Sequence, residues 1–273
     1  FSAERVVDEM TMLLETYRLD GLMIWDDLFL LPPTRLRRIV ELAEERGIPS
    51  HTRFSVFCRA NLINEENIAL LKRLHVTSVI FGLESGSEPI LRYLKKGSVT
   101  VADNYRALRL CKQNGMRTQA TLIIGSPDET DEDLQRTLEL IKHPDLDEAL
   151  TCHLTPLPGT EVWTYALNQG VVSEAPDWDY ASLDGWGFHP NLVLTRTLTR
   201  EQLAVWHERL RAVCERKAWR AKLKAVNARY LLDPRQIRKM AVGFRRYVRH
   251  GLHDFRPAKR RPDSGAGPHQ EGG

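Results

Sequence analysis

A carboxylate and a hydroxyl stand side by side at Glu84 and Ser85, within a glycine-containing stretch at residues 82–87. The run before it, residues 79–81, is wholly apolar, which is typical of a strand buried on both faces. Pro89 follows, and proline suits the first turn of a helix. The pair is therefore predicted where a strand ends and a helix begins, the edge at which α/β proteins bind ligands. Glu84 could instead cap that helix, and this loop alone leaves both roles open.

The same arrangement recurs along the chain, because further strand candidates also end in polar residues or glycine and each follows a helical pattern. These strand candidates cover residues 21–25, 53–57, 120–124 and 150–154. Strands that alternate with helices predict a parallel sheet with right-handed crossovers, here a partial parallel (β/α) barrel over residues 1–165. Polar groups at the strand ends should then share one rim, within about 15 Å, the width of a small-molecule pocket. The candidate site residues are Asp26, Asp27, Glu84, Ser85 and Gly125.

Helix boundaries are predicted from capping residues. Ser2 should cap a helix over residues 3–17, Thr34 one over residues 35–46, and Asn64 one over residues 65–74. Two further helices should begin with capping boxes, in which a threonine is followed three residues later by an acid. These boxes are Thr100 with Asp103 and Thr130 with Asp133.

The length of the chain and its cysteines limit the classes of protein to which it can belong. The 273 residues suffice for one large α/β domain with an appendage, and no apolar run is long enough to span a membrane. Because the sequence begins at Phe1 rather than Met, we expect residues to precede it. The scattered cysteines indicate free thiols in a reducing cytoplasm, and no Walker loop, GxGxxG or GxSxG motif occurs. The cysteines are Cys58, Cys111, Cys152 and Cys214.

The charge is distributed unevenly, although the whole chain carries only +3. Residues 1–199 have a net charge of −9 and residues 200–261 have +14. We expect residues 166–199 to connect the barrel to a basic helical extension at 200–256, followed by a disordered tail at 257–273. In one interpretation, the extension consists of solvated helices that pack against an acidic barrel. In the other, its basic surface contacts a membrane surface or another anion. No specific nucleic-acid signal is present.

At this point the ordered motifs resemble those of radical S-adenosylmethionine (SAM) enzymes. Residues 81–87, followed by Lys96-Gly97, resemble the fourth-strand region of that family, and residues 123–133 resemble its fifth strand and loop. Residues 25–29 resemble its second-strand end, and the likeness extends over roughly residues 1–165. The subgroup that carries a cobalamin-binding domain ahead of the barrel is the most similar; it includes methyltransferases and a ring-forming cyclase.

The resemblance implies cofactors that this chain would hold only in part. Family members bind SAM and a [4Fe–4S] cluster, the latter through a CxxxCxxC loop after the first strand, and generate a 5′-deoxyadenosyl radical with an electron donor. No CxxxCxxC occurs here, so we expect strands two to six of the barrel, with the cluster ligands and any cobalamin domain outside the chain. The substrate would be a small molecule, and the chain alone would be inactive.

The resemblance also implies roles for the candidate residues. Glu84 and Ser85 would contact the ribose and methionine parts of SAM, and Gly125 would let the backbone approach the adenine. Asp26 or Asp27 would accept a hydrogen bond from the ammonium group of SAM or from the substrate. Arg53 or Arg59 would hold the SAM carboxylate. Two other functions stay open: a cluster-free α/β-barrel enzyme, and a non-catalytic SAM-binding or scaffold module whose basic tail recruits a partner.

Overall fold

A computed structural model describes residues 1–26, 28–173 and 193–225. One or two helices separate each strand from the next in chain order, and two short 3₁₀ turns lie at Ile48–Ser50 and Ala60–Leu62. The strands are β1 Gly21–Ile24, β2 Arg53–Cys58, β3 Val76–Glu84, β4 Arg117–Ile124 and β5 Glu148–His153. The helices are α1 Ala3–Tyr17, α2 Pro33–Glu45, α3 Glu65–Arg73, α4 Glu88–Lys95, α5 Val101–Gln113, α6 Asp131–Lys142, α7 Glu161–Asn168 and α8 Arg200–Ala225.

The five strands form one sheet in the order β1-β2-β3-β4-β5, and every neighbouring pair is parallel. This confirms the predicted parallel β/α architecture and all five strand positions. Strand β3 is the most deeply buried, with Val79, Phe81 and Leu83 inaccessible to solvent. Because the strands are parallel and sequential, their carboxyl ends lie at one edge of the sheet, where the loops that follow them gather.

Local capping chemistry explains most helix starts. Ser2 and Asn64 accept hydrogen bonds from the backbone N–H groups of Arg5 and Asn67, and both predicted capping boxes, beginning at Thr100 and Thr130, are formed. The prediction for Thr34 is wrong: α2 begins at Pro33, with Pro32 as its N-cap. A proline has no N–H to satisfy, so a helix can begin there without a side-chain cap.

Helix α8 accounts for the described part of the basic extension. It packs against β5 and α6, burying Leu203, Trp206 and Leu210, and belongs to the same compact unit as the sheet, Phe1–Val226. This part of the extension therefore packs on the sheet and its helices. Residues 174–192 of the predicted connecting segment, residues 226–256 of the extension and the tail at 257–273 lie outside the described residues. Among the described helices, none is both long and apolar enough to cross a bilayer.

Candidate functional site at the carboxyl ends of the strands

Glu84 has an unusual backbone conformation at the end of β3. Its φ is +61°, and the pairing of β3 with β4 shifts register between Gly82 and Glu84. A non-glycine residue in the left-handed region costs roughly 1–2 kcal/mol. Such strain persists only where surrounding structure enforces it, and it clusters at ligand sites. The bulge therefore aims the Glu84 side chain away from the direction that a regular strand would give it.

The Glu84 carboxylate is held by an ion pair. Its Oε1 lies 2.7 Å from Nζ of Lys95, and both side chains are largely buried. Gly82 makes room for this carboxylate, because a Cβ there would come within 2.5 Å of Glu84 Oε1. The capping alternative is not what the structure shows: the N-cap of α4 is Ser87, and Lys95 is the last residue of that helix.

Two cavities meet at this ion pair. The first, about 440 Å³, opens at the ends of β2, β3 and β4 and includes Arg59, Gly82 and Thr121. The second, about 490 Å³, lies towards the start of α7 and has a more apolar wall that includes Ile123 and Leu154. Both cavities share Glu84 and Lys95, so the pair forms a common wall whose charges are available to a ligand on either side.

Ser85 lies beside Glu84 but faces the helix layer. It has no exposed surface; its Oγ lies 3.1 Å from Thr137 Oγ1 and accepts a hydrogen bond from the N–H of Ser87. In this conformation the hydroxyl fixes the loop onto α6. A direct contact with a ligand would require it to exchange these partners, so that role stays a prediction.

Gly125 begins the loop after β4, with φ +87°. Its N–H donates to Oε2 of Glu129 at 2.5 Å, and the N–H of Ser126 donates to the same oxygen at 3.3 Å. A Cβ on Gly125 would lie 3.4 Å from Leu203 of α8, so this backbone is already closely covered on that side. The contact of the Gly125 backbone with adenine therefore stays a prediction, and it would involve the side of Gly125 that Leu203 does not cover.

Burial of Glu129 leads to a pH prediction. Desolvation raises the pKa of Glu129 to about 7, although the N–H groups of Gly125 and Ser126 oppose the shift. A carboxyl with a raised folded-state pKa contributes stability below its unfolded pKa, near 4.5, and loses it as pH rises through about 7. Relative to Glu129→Gln, the wild-type free energy of unfolding should therefore fall between these pH values, by about 3 kcal/mol. Urea unfolding at several pH values measures this difference, and parallel curves for the two proteins would contradict it.

Asp26 is placed away from the Glu84 cavities. It lines a separate cavity of about 250 Å³ between α1 and β1. Its carboxylate accepts a hydrogen bond from the N–H of Leu28 at 3.0 Å and lies 3.6 Å from the guanidinium of Arg35. Its predicted contact with the ammonium or substrate stays a prediction. Asp27 lies outside the described residues.

The two candidate arginines are separated by the length of a strand. Arg53 is the first residue of β2, at the amino edge of the sheet, opposite the rim. Arg59 follows the carboxyl end of β2, lines the first cavity and donates to Ser98 Oγ at 2.6 Å. Arg59 is therefore the one that a ligand in this cavity could reach.

The four cysteines do not form a cluster site. They lie on β2, α5, β5 and α8, and no group of three or more His, Cys, Asp or Glu residues in the described part of the chain could hold a metal ion. Burial raises the pKa of Cys111 and of Cys214 to about 12, which disfavours the thiolates that bind iron. The residues present therefore do not fit a [4Fe–4S] cluster.

Several features of the site were not predicted from sequence. Lys95 and Thr121 reach the first cavity, and Nε2 of His153 at the end of β5 lies 2.8 Å from Nδ1 of His207 on α8. Thr121 carries a usable signal, because it alternates with buried residues on a predicted strand. Lys95 and His207 act through contacts between distant segments, for which local sequence gives no signal.

Comparison with known proteins shows which family the chain resembles. Residues 1–141, just over half the chain, match the Radical SAM superfamily. An uncharacterized methyltransferase of Pyrococcus horikoshii is 31% identical over 183 residues, covering 67% of this chain and 39% of the relative. The anaerobic magnesium-protoporphyrin IX monomethyl ester cyclase of Cereibacter sphaeroides is 24% identical over 205 residues, covering 73% and 32%. The chain thus spans well under half the length of these relatives.

Solved structures support the same fold. The radical SAM methyltransferase TsrM from Kitasatospora setae, with cobalamin and a [4Fe–4S] cluster bound, has a TM-score of 0.54 at 23% identity, covering 64% of this chain and 33% of TsrM. The cobalamin-dependent SAM radical enzyme OxsB has a TM-score of 0.53 at 16% identity, covering 93% and 43%. Because the Radical SAM superfamily model matches just over half of the residues, the chain belongs to the radical SAM superfamily.

Proposed function

We propose that this chain forms the SAM-binding part of a radical SAM enzyme. The observation that carries the proposal is Glu84, whose backbone is strained and whose carboxylate is ion-paired and shared between two cavities at the rim of the sheet. It lies within the residues that match the family. A carboxylate fixed in this way before ligand arrives is suited to a cationic or hydroxyl-bearing ligand.

The first cavity offers groups that match the polar parts of SAM. Glu84 can accept hydrogen bonds from the ribose hydroxyls or the ammonium, and Thr121 adds a hydroxyl on the neighbouring strand. Arg59 and Lys95 can balance the SAM carboxylate. Charge-assisted bonds of this kind are roughly twice as strong as neutral ones. Apolar lining residues such as Phe57 and Val99 would exclude water around them.

Bound SAM, cleaved reductively at a [4Fe–4S] cluster, would supply the 5′-deoxyadenosyl radical that abstracts hydrogen from a small-molecule substrate. The cluster ligands would come from residues other than the cysteines of this chain, and an electron donor would be required as a partner. The role of this chain is to bind and orient SAM and to exclude water.

The relatives suggest two reaction classes. Methyltransferases and a ring-forming cyclase occur among the similar proteins, and two structures of similar fold contain cobalamin. We therefore propose a methyl transfer or a cyclisation in the cytoplasm, with cobalamin held by a part of the protein outside this chain. Contact of the basic residues after 200 with a membrane surface or another anion stays a prediction.

Glu84 substitutions test the proposed SAM site. In the complete protein, Glu84→Ala should weaken SAM binding by roughly 1.5–3 kcal/mol, the range for a hydrogen bond to a charged group, and Glu84→Gln should weaken it as well. Calorimetric titration with SAM measures the loss. Glu84→Gln keeps the size of the side chain, so a loss common to both variants reports on charge rather than shape.

Glu44 provides the matched control. It forms an ion pair with Arg73 on the surface between α2 and α3, with Nη2 of Arg73 2.6 Å from Oε2 of Glu44. Exposed pairs of this kind contribute about 0–1 kcal/mol. Glu44→Ala should leave SAM affinity unchanged. Unchanged affinity in both Glu84 variants would refute the assignment of Glu84 to the SAM site.

A further inference from the structure

The loop after β4, residues 125–130, is overlaid by a segment from much later in the chain, residues 194–207. The backbone N–H of Arg196 donates to Pro127 O at 2.7 Å, and its guanidinium lies 2.5 Å from Asp128. The hydroxyl of Thr197 donates to the carbonyl of Glu129. Two consecutive residues of the later segment thus provide hydrogen-bond and ion-pair partners for three consecutive residues of the loop.

The first turns of α8 continue the same contact. Trp206 donates its indole N–H to Asp131 Oδ1 at 2.5 Å, at the first residue of α6. Leu203 lies against Gly125, and His207 contacts His153 at the end of β5. The segment is therefore attached to both ends of the loop as well as to its middle.

Inside the loop the hydrogen bonding is incomplete. Glu129 Oε2 holds the N–H groups of Gly125 and Ser126, but Glu129 Oε1 and Ser126 Oγ are buried and have no hydrogen-bond partner within the described residues. A buried carboxylate oxygen without a partner costs free energy, so the loop by itself does not favour this arrangement. The bonds from Arg196 and Thr197 offset that cost by satisfying the carbonyls of Pro127 and Glu129.

We propose that residues 194–207 act as a strap that sets the conformation of the loop 125–130. Because this loop continues directly from β4, which lines the first cavity with Thr121, the strap also sets the affinity of that cavity for SAM. Arg196 and Thr197 are positioning residues in this arrangement. The effect on SAM rests on the proposed function, because it requires SAM at the strand ends; the effect on the loop does not.

The double variant Arg196→Met, Thr197→Val tests the strap in the complete protein. Hydrogen exchange of the Gly125 and Ser126 amides should become faster, because the loop loses the hydroxyl that holds the Glu129 carbonyl and the guanidinium that pairs with Asp128. SAM affinity should fall roughly 3- to 30-fold, the range for substitutions that act on a site through an intervening element. Thr197→Ser, which keeps the hydroxyl, should retain most of the wild-type protection.

Arg211→Met is the matched control. Arg211 lies on α8 and pairs with Glu208 and Glu215 of the same helix rather than with the loop. It should change neither exchange nor affinity. Unchanged hydrogen exchange of Gly125 and Ser126 in the double variant would refute the proposed strap, whatever its SAM affinity. Faster exchange in a protein whose wild type binds no SAM would support the strap's hold on the loop and refute the proposed function.

Discussion

Gly86→Ala should lower the free energy of unfolding by about 3 kcal/mol, the upper end of the cost of overpacking a filled interior. The loop after β3 lies directly on the backbone of α6 at this point. A Cβ on Gly86 would fall far inside van der Waals contact of the carbonyl oxygen of Arg136, 2.7 Å from its carbonyl carbon and 2.9 Å from the Cα of Thr137. Backbone atoms within a helix cannot move aside as a flexible side chain can, so the loop itself must lift.

Lifting the loop would also displace the site. Gly86 donates its N–H to Thr137 Oγ1 at 3.1 Å, the same hydroxyl that contacts Ser85, and Glu84 precedes both residues. We therefore expect Gly86→Ala to weaken SAM binding in the complete protein, in the same direction as Glu84→Ala. Urea unfolding and SAM titration measure the two effects.

Gly97→Ala is a suitable comparison for this prediction. Gly97 has φ +72° and nothing within 4 Å of a Cβ placed there, so its cost should be only that of the left-handed conformation, roughly 1–2 kcal/mol. It should also leave SAM affinity unchanged. Equal stability losses in the two variants would show that close packing on α6 is not what requires glycine at position 86.

The architecture was predictable because its signals are local. Strand candidates such as residues 79–81 and 120–124 are short, bounded by glycine or polar residues and separated by capped helices, so the alternation predicts a parallel sheet. The capping boxes that begin at Thr100 and Thr130 formed because a threonine and an acid three residues later need only each other. Thr34 failed because two prolines just before it allow an earlier helix start.

For the site, the sequence predicted that the residues lie at strand ends, but not which groups they contact. The sequence placed Glu84 at a strand end, but its partner Lys95 lies across a whole helix, and the fixed hydroxyl of Ser85 depends on Thr137, 52 residues away. Asp26 follows β1 as expected, yet the N–H of Leu28 and the nearby Arg35 engage its carboxylate beside a different cavity. Such outcomes depend on tertiary contacts, which neither periodicity nor spacing encodes.

The chain of residues 1–273 should assemble no [4Fe–4S] cluster by itself. A cubane cluster requires several thiolates within a few ångströms of one another. The four cysteines here lie on four different elements, and three of them are buried. Desolvation by burial raises the pKa of each thiol, so forming thiolates would cost free energy even where a cysteine could be reached.

Anaerobic reconstitution with iron and sulfide tests this prediction. The purified chain should bind no more iron than the variant Cys152→Ser, which removes its most accessible thiol, and should cleave no SAM under reducing conditions. Adding a preceding segment that carries CxxxCxxC should restore both properties, since a single loop can present three thiolates to one cluster. Stoichiometric cluster incorporation by the chain alone would contradict the prediction. It would require cysteines from different strands and helices to converge, and therefore a rearrangement of the buried core around Cys58, Cys111 and Cys214.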